Sequence, residues 1–291
     1  QLTESAITAG FDELYNSGYR DRFLVGLTGM LESNPDGNLR RLAALSLGVM
    51  GDTRTIAALS TALSDTDESV RRMATAALGR IGTAKVVPLL MMAWKDVKVS
   101  VREKATEALA KTGRPSIRSL ICGLRDLDSR ISHGSSDALA RIGKPAVLPL
   151  TKALLEEEDS LVRTEIIKIL GSTRDARAAV SLTVALMDPD SDVQKAAAEA
   201  LVKTGQPATE PLIRVLKAVD NAYRERVAEV LVGIGKPAVE SLINALRDKD
   251  PGIRSLISGI LAKIGKPALQ PLIHALKDSH PVIRRESATA L

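Results

Sequence analysis

A leucine returns at nearly constant spacing along this chain of 291 residues, and that repetition limits the fold more than any other feature. The steps between successive leucines are 30 to 32 residues. The leucines are Leu27, Leu59, Leu89, Leu120, Leu150, Leu182, Leu212, Leu242 and Leu272. Self-similarity at this period is typical of proteins that stack copies of one supersecondary unit.

The copy that spans residues 235–264 shows what one unit contains. Apolar residues recur at helical spacing over residues 239–246 and again over residues 253–264, which predicts two amphipathic helices. Asp250 between them is a suitable N-cap, and Gly265 after them suits the left-handed residue that ends a helix. Each unit is therefore predicted to be a helical hairpin, and no strand-like alternation competes with this interpretation.

The repeats predict an all-α solenoid that forms a single domain over residues 1–291, with about 8.5 repeats of 30–32 residues. Residues 1–17 are interpreted as a lone second helix or a cap, eight repeats follow over residues 18–264, and residues 265–291 form a truncated ninth. Because the first residue is Gln1 and Leu291 falls inside a helical pattern, we expect the chain to be a piece of a longer polypeptide.

The repeated motif carries a family resemblance from about Tyr19 to Leu291. It reads Gly-x-Pro-Ala-x-x-x-Leu, then Ala-Leu-x-Asp, then Val-Arg-x-x-Ala-x-x-Ala-Leu-x-x-Ile, and it resembles the short HEAT-like repeat of the phycobilisome-lyase type. The resemblance implies a right-handed α-α superhelix of the HEAT and armadillo type, with the second helix of each hairpin on the concave face. Proteins with such repeats include scaffolds, chromophore lyase subunits, a DNA glycosylase group and an iron-dependent hydroxylase of a modified lysine.

Two sets of charged residues recur once per repeat. An arginine near the start of the second helix (Arg71, Arg102, Arg163, Arg254, Arg284) follows an aspartate (Asp67, Asp96, Asp159, Asp250, Asp278). Pairing of these groups between neighbouring inter-helix turns is favoured over a phosphate-binding stripe. Basic residues before the turn glycines (Arg80, Lys111, Arg141, Lys203, Lys263) either complement the helix dipole or form a basic rim, and both interpretations stay open.

No catalytic residue, metal site or cofactor is predicted. The histidines His133, His274 and His280 are far apart in the repeat register, and the paired His-Glu motifs of the hydroxylase are missing. Cys122 lies in an apolar stripe and is expected to be a small buried residue. The single tryptophan, Trp94, lies on a first helix and does not suggest the aromatic-lined site of a glycosylase.

Charge and cysteine content narrow the classes of partner. The 40 basic and 35 acidic residues give a net charge of +5 and are interspersed, so nucleic-acid binding is not favoured. One cysteine allows no intrachain disulfide and is consistent with a reducing compartment, so a cytoplasmic location is expected. The sequence contains no run of 18 apolar residues, so no membrane span is predicted.

The resemblance directs attention to the outward positions of the second helices. The candidate protein-binding residues there are Arg41, Leu42, Leu45, Val49, Arg72, Met73, Lys104, His133, Asp137, Arg141, Lys168 and Arg226. The apolar cluster of Leu42, Leu45, Val49 and Met73 suits a partner helix or peptide. Alternatively it packs against the N-terminal helix, where Phe11, Tyr15, Tyr19 and Phe23 cluster.

The fourth unit departs from the pattern, because residues 132–136 read Ser-His-Gly-Ser-Ser. Gly134 inside a helix costs up to about 1 kcal/mol relative to alanine. The small residues could make room for a ligand or for a closely approaching backbone. Alternatively, they reflect divergence of this repeat without a functional role.

These observations predict a non-catalytic scaffold that holds a protein or peptide on its concave face. The alternatives are a bilin lyase or isomerase subunit and, third, a nucleic-acid-binding solenoid. End-to-end self-association of terminal repeats is a further expectation.

Overall fold

The structure is a computed structural model that describes residues 19–218 and 221–291. The predicted helix over residues 1–17, with Phe11 and Tyr15, lies outside the described residues. Contacts divide the chain into two compact units, residues 1–146 and 147–291. One continuous domain over residues 1–291 stays a prediction.

The regular secondary structure of the described residues is entirely helical. The first unit contains α1 (Arg20–Ser33), α2 (Gly37–Met50), α3 (Ile56–Thr61), α4 (Glu68–Ile81), α5 (Val87–Met92), α6 (Val99–Thr112), α7 (Arg114–Gly123) and α8 (Ser129–Ile142). The second unit contains α9 (Val147–Glu156), α10 (Ser160–Thr173), α11 (Ala179–Ala185), α12 (Ser191–Thr204), α13 (Gln206–Ala218), α14 (Asn221–Ile234), α15 (Val239–Ala245), α16 (Pro251–Ile264), α17 (Lys266–Ala275) and α18 (Pro281–Ala290).

These helices form nine hairpins, with an odd-numbered first helix and an even-numbered second helix in each. The predicted all-α repeat architecture is thereby confirmed. Short 3-10 turns extend several first helices. They span Thr53–Thr55, Ala62–Ser64, Ala84–Val86, Ala93–Lys95, Lys144–Ala146, Ala176–Ala178 and Lys236–Ala238.

The second helices begin and end where local chemistry requires. The aspartates at their N-caps accept hydrogen bonds from backbone N–H groups two residues later, as Asp67 does from Ser69 at 2.7 Å. Such bonds satisfy donors that the first helical turn leaves free. Glycines with φ near +60° to +74° end most second helices, and Arg174 (φ 50°) takes this conformation after α10.

Second helices pack side by side within each unit. In the first unit α2, α4, α6 and α8 form one layer, and in the second unit α10, α12, α14, α16 and α18 do the same. Small residues allow this close approach of the second helices. A Cβ added to Gly79 of α4 would lie only 2.4 Å from Cβ of Ala108 on α6.

The periodic leucines form the core between the layers, with two corrections to the predicted register. Leu27 is half-buried, and the buried periodic leucines are Leu59, Leu120, Leu150, Leu182, Leu212, Leu242 and Leu272. In the third hairpin, Leu90 is buried instead of Leu89. The reason is that Leu90 is the fourth residue of α5, as Leu59 is the fourth residue of α3, so the two leucines occupy the same position in their hairpins.

The predicted burial of Cys122 is wrong, because its side chain is exposed. The core face of α7 is formed by Ile117 and Leu120. Successive residues are rotated by about 100° around an α-helix, so a residue two positions after Leu120 points away from that face.

Candidate protein-interaction surface

In each unit the outward positions of the even-numbered helices form a face of its own, which we call the second-helix face of that unit. In the first unit α2 carries Arg41, Leu42 and Val49, α4 carries Arg72 and Met73, α6 carries Lys104, and α8 carries His133, Asp137 and Arg141. In the second unit α10 carries Lys168 and α14 carries Arg226. All of these side chains are exposed or half-buried. Neighbouring helices bring together the residues of α2 with those of α4, and the residues of α6 with those of α8.

Leu45 does not belong to the accessible surface. It is only 8 % exposed and lies within the core side of α2, beside the buried Ala44 and Ser46. Its predicted role as an exposed binding residue is therefore corrected, since truncating it would open a cavity rather than remove a contact.

The remaining residues of α2 and α4 form a patch of mixed character, which we call the α2/α4 patch. Leu42, Val49 and Met73 are each half-buried, so part of their apolar surface remains accessible. Arg41 and Arg72 flank them, and neither arginine forms an ion pair with the described residues. The patch therefore offers apolar contact area and two guanidinium groups that pair with none of the described residues.

Grooves run between successive second helices in both units. A groove of about 350 Å³ lies between α6 and α8, and it is lined by His133, Asp137 and Arg141. In the second unit a groove of about 410 Å³ separates α12 from α14, and one of about 540 Å³ separates α14 from α16. Each groove is a local depression between two neighbouring second helices of one unit.

The irregular fourth repeat is explained by the tryptophan of the third. Trp94 is buried, and its Nε1 donates a hydrogen bond to Oγ1 of Thr106 at 2.9 Å. A Cβ added to Gly134 would lie 2.4 Å from Cε2 of the Trp94 ring. Gly134 is therefore required by close packing with Trp94, which occupies the position of Leu63 and Leu124 in the adjacent hairpins. An alignment of the repeats could have predicted this contact, because Trp94 replaces a leucine in the third repeat and Gly134 is unusually small in the fourth.

Three of the predicted binding lysines and arginines are engaged in local contacts. Lys104 pairs with Glu107, whose pKa the hydrogen bonds from Lys104 and Lys111 lower to about 2. Lys168 lies 3.6 Å from Glu165. Arg226 donates to the Leu186 carbonyl oxygen at 3.0 Å and lies over the ring of Tyr223. These contacts reduce the freedom of the three cations to meet a partner.

Part of the predicted structural ladder is present: Arg71 and Arg163 pair with aspartates, as does Arg40 one repeat earlier, whereas among the described residues Arg102, Arg254 and Arg284 do not pair with the aspartate of the next turn. Arg40 donates two bonds to Asp65 (2.7 and 2.8 Å), Arg71 two to Asp96 (2.7 and 3.2 Å), and Arg163 two to Asp188 (2.8 and 2.9 Å). We call each such pair a rung. The same arginines also donate to carbonyl oxygens of their own turns, as Arg71 does to Asp65 at 2.9 Å.

The predicted partners of the ladder need a correction of register. Asp67, Asp159 and Asp250 cap second helices instead of pairing with ladder arginines, and Asp96 is a partner as predicted. The reason is geometric, because an N-cap carboxylate is already occupied by backbone N–H groups of its own helix.

Electrostatics within the rungs favour the ionised aspartates. The hydrogen bond from Arg40 is the largest influence on Asp65 and holds the pKa of its carboxyl below the ordinary value, against the opposing effect of burial. Burial is the largest influence on Asp96 and raises its pKa, but the hydrogen bonds from Arg71 and from the Lys98 backbone outweigh it. Both carboxyl groups therefore remain charged well below neutral pH.

The sequence matches the family model for HEAT repeats over four overlapping segments, residues 24–110, 117–202, 147–231 and 209–291. This chain belongs to the HEAT-repeat family. No curated protein matches it.

Two solved structures are similar to this HEAT-repeat chain. A crystal structure of an engineered protein is 21 % identical, with a TM-score of 0.34, over 99 % of this chain and 90 % of that one. Human deoxyhypusine hydroxylase in complex with glycerol is 21 % identical, with a TM-score of 0.37, over 94 % and 96 % of the two chains. TM-scores this low support no argument about activity.

The described part of this HEAT-repeat chain contains no group of three or more His, Cys, Asp or Glu side chains that could hold a metal ion. His133 donates from Nδ1 to the carbonyl oxygen of Ser129 at 2.6 Å on the exposed side of α8. Over the described residues, no helix is both long and apolar enough to cross a membrane.

Proposed function

We propose that this HEAT-repeat chain is a non-catalytic scaffold that binds a protein or peptide partner on the second-helix face of the first unit. The observation that carries the proposal is the α2/α4 patch, where Leu42 and Met73 expose apolar surface between Arg41 and Arg72. Accessible arginines, here the half-buried Arg41 and the exposed Arg72, beside accessible apolar side chains are a composition that interaction hot spots favour.

The partner surface that fits this patch is a helix or extended segment with apolar residues and acidic neighbours. Apolar contact would supply affinity, and the arginines would supply orientation through charge-assisted hydrogen bonds. Because the patch lies on two packed helices, it is rigid before binding, which lowers the entropic cost of association.

Competing functions lack a comparable observation. A phosphate-binding stripe is not favoured, because Arg40, Arg71 and Arg163 are already neutralised by aspartates. The bilin lyase alternative has no feature of its own among the described residues. A cytoplasmic location is part of the proposal and depends on the single cysteine, and end-to-end self-association stays a prediction.

The test starts with affinity capture from the native host, using the full chain as bait, followed by binding measurements with the captured protein. The triple variant R41A/L42A/M73A is expected to weaken binding about tenfold or more, the equivalent of about 1.4 kcal/mol, with unchanged helicity by circular dichroism. The matched control is V25A/M92A/R118A, three exposed residues of first helices. Equal binding by both variants would contradict the assignment to the second-helix face of the first unit.

A further inference from the structure

The ladder arginines find their aspartates only when the repeat has a particular length. In all three rungs the arginine and aspartate are 25 residues apart, as in Arg40–Asp65 and Arg163–Asp188. Where the next repeat is one residue shorter, the corresponding separation is 24 residues, as in Arg102–Asp126 and Arg254–Asp278. Neither of these two pairs forms an ion pair in the described structure.

In the second unit Arg254 and Asp278 each have another ion-pair partner, whereas in the first unit Arg102 and Asp126 have none among the described residues. Arg254 lies 3.6 Å from Glu286, and Asp278 lies 3.6 Å from Arg247. The Arg102 side chain makes one hydrogen bond with the described residues, from Nη1 to the Asp96 carbonyl oxygen at 2.7 Å. Asp126 is exposed and accepts only the N–H of Asp128. We call this position the open rung.

Arg102 faces space that a ligand can enter. It lines the groove between α6 and α8 together with Val99, Ser129 and Arg130. Arg130 is paired with Asp128 at 2.9 Å, so it does not compete with Arg102 for an incoming anion. The carboxylate-binding edge that Arg71 uses for Asp96 is therefore accessible on Arg102.

Apolar side chains lie close in sequence to Arg102 and Asp126 of the open rung, on the inter-helix turns and at the start of α6. Val97 is 81 % exposed, Val99 is 56 % exposed and Leu127 is fully exposed (103 %). At the positions of Val97 and Leu127, the flanking hairpins have Thr66 and Glu158. Exposed valine and leucine on two consecutive turns are not explained by packing, because these side chains contribute little to the core.

We propose that the open rung binds a peptide segment in which an aspartate or glutamate is flanked by apolar residues. The carboxylate would take the place on Arg102 that an aspartate of the next turn takes in the closed rungs, with bidentate geometry. The apolar neighbours would contact Val97, Val99 and Leu127. The argument is one of charge complementarity and does not depend on the α2/α4 patch.

The repeats themselves provide substitutions that preserve the fold. Gln194 occupies the ladder position of the sixth hairpin and still donates to the carbonyl oxygen of Asp188 at 2.5 Å. R102Q should therefore keep the backbone contact and lose only the guanidinium. V97T and L127T introduce the residue that Thr66 already places at this position.

The experiment selects binders from a displayed library of random twelve-residue peptides on the immobilised full chain. Affinities of the recovered peptides are then measured by fluorescence anisotropy with synthetic copies. We expect peptides with an acidic residue between apolar ones, and about tenfold weaker binding to R102Q and to V97T/L127T. The control R118Q, at an exposed arginine of α7, should bind as the unmodified chain does.

Three outcomes would overturn the proposal: no peptide is recovered, the recovered peptides lack acidic residues, or R102Q binds them unchanged. D126N removes the aspartate that could close the rung, so it should leave binding unchanged or tighten it, and weaker binding would contradict the geometry. R41A/L42A/M73A should bind these peptides normally, which separates this proposal from the scaffold function.

Discussion

A single bulky residue dictates the sequence of the helix opposite. Trp94 stands where adjacent hairpins have leucine, and its indole fills the space beside α8. The cost of a glycine within that helix is offset because any larger residue would overlap the ring. Gly134, which looks like a random departure from the repeat motif, is thus complementary in shape to Trp94 of the preceding repeat.

The expected consequence is strong coupling between positions 94 and 134. G134A should lower the free energy of unfolding by about 1–3 kcal/mol through overpacking, and W94L by about 2–4 kcal/mol through a cavity. The double variant should lose clearly less than the sum in urea unfolding. As a control, G259A, whose Cβ would meet no atom within 4 Å, should gain up to about 1 kcal/mol from helix propensity. Additive losses at 94 and 134 would contradict direct packing.

Neighbouring hairpins are joined along one edge by the rungs. The rung side chains are largely buried, with 12 % of the Arg71 side chain and 8 % of the Asp96 side chain exposed. Because each arginine also binds carbonyl groups of its own turn, one side chain fixes two consecutive turns. Repeat length decides whether this connection forms.

Removal of one rung carboxylate should give a pH-dependent loss of stability. D65N should lower the free energy of unfolding by about 1–3 kcal/mol at pH 7, because a charge-assisted hydrogen bond is lost. The pKa of Asp65 is lowered in the folded state, so its stabilisation is present above the ordinary value of 3.8 and is lost as pH falls through the folded-state pKa. The difference from the unmodified chain should therefore shrink below pH 4.

The matched control is D126N, at the same position of the fourth hairpin. Asp126 makes the same backbone hydrogen bond but has no arginine partner. Its loss should stay below about 0.5 kcal/mol at every pH. A loss as large as that of D65N would show that the open rung is closed in solution.

At the scale of the whole molecule, stability is expected to be a sum of local terms. Within each unit, a hairpin packs on the hairpin before it and the hairpin after it. Proteins of this kind behave approximately as one-dimensional chains of repeats with nearest-neighbour interfaces. Damage to one hairpin should therefore spread over a short distance.

A core truncation in the first unit tests this locality. L59A removes a fully buried side chain of α3 and should cost about 2–5 kcal/mol. Native-state hydrogen exchange should then accelerate in α2, α4 and α6, with little change in α8. Equal acceleration in all four helices would instead indicate that the first unit opens as one cooperative block.

The sequence by itself determined the helical hairpins and most of their caps. Helical periodicity, N-cap aspartates and turn glycines act over a few residues, so each repeat provides the same evidence again. The pairing of arginine with aspartate was also predictable, because both recur in the same register. The individual partners were not, since N-cap and rung aspartates lie only two residues apart.

The tertiary structure decided which side of each helix is accessible. Leu45 was expected to be exposed and is buried, and Cys122 was expected to be buried and is exposed. The reason is that the orientation of a helix depends on contacts with residues about 30 positions away. The fit of Trp94 against Gly134 and the open rung at Arg102 have the same origin. Each depends on how two repeats of slightly different length or volume meet, and a motif read within one repeat contains no information about that contact.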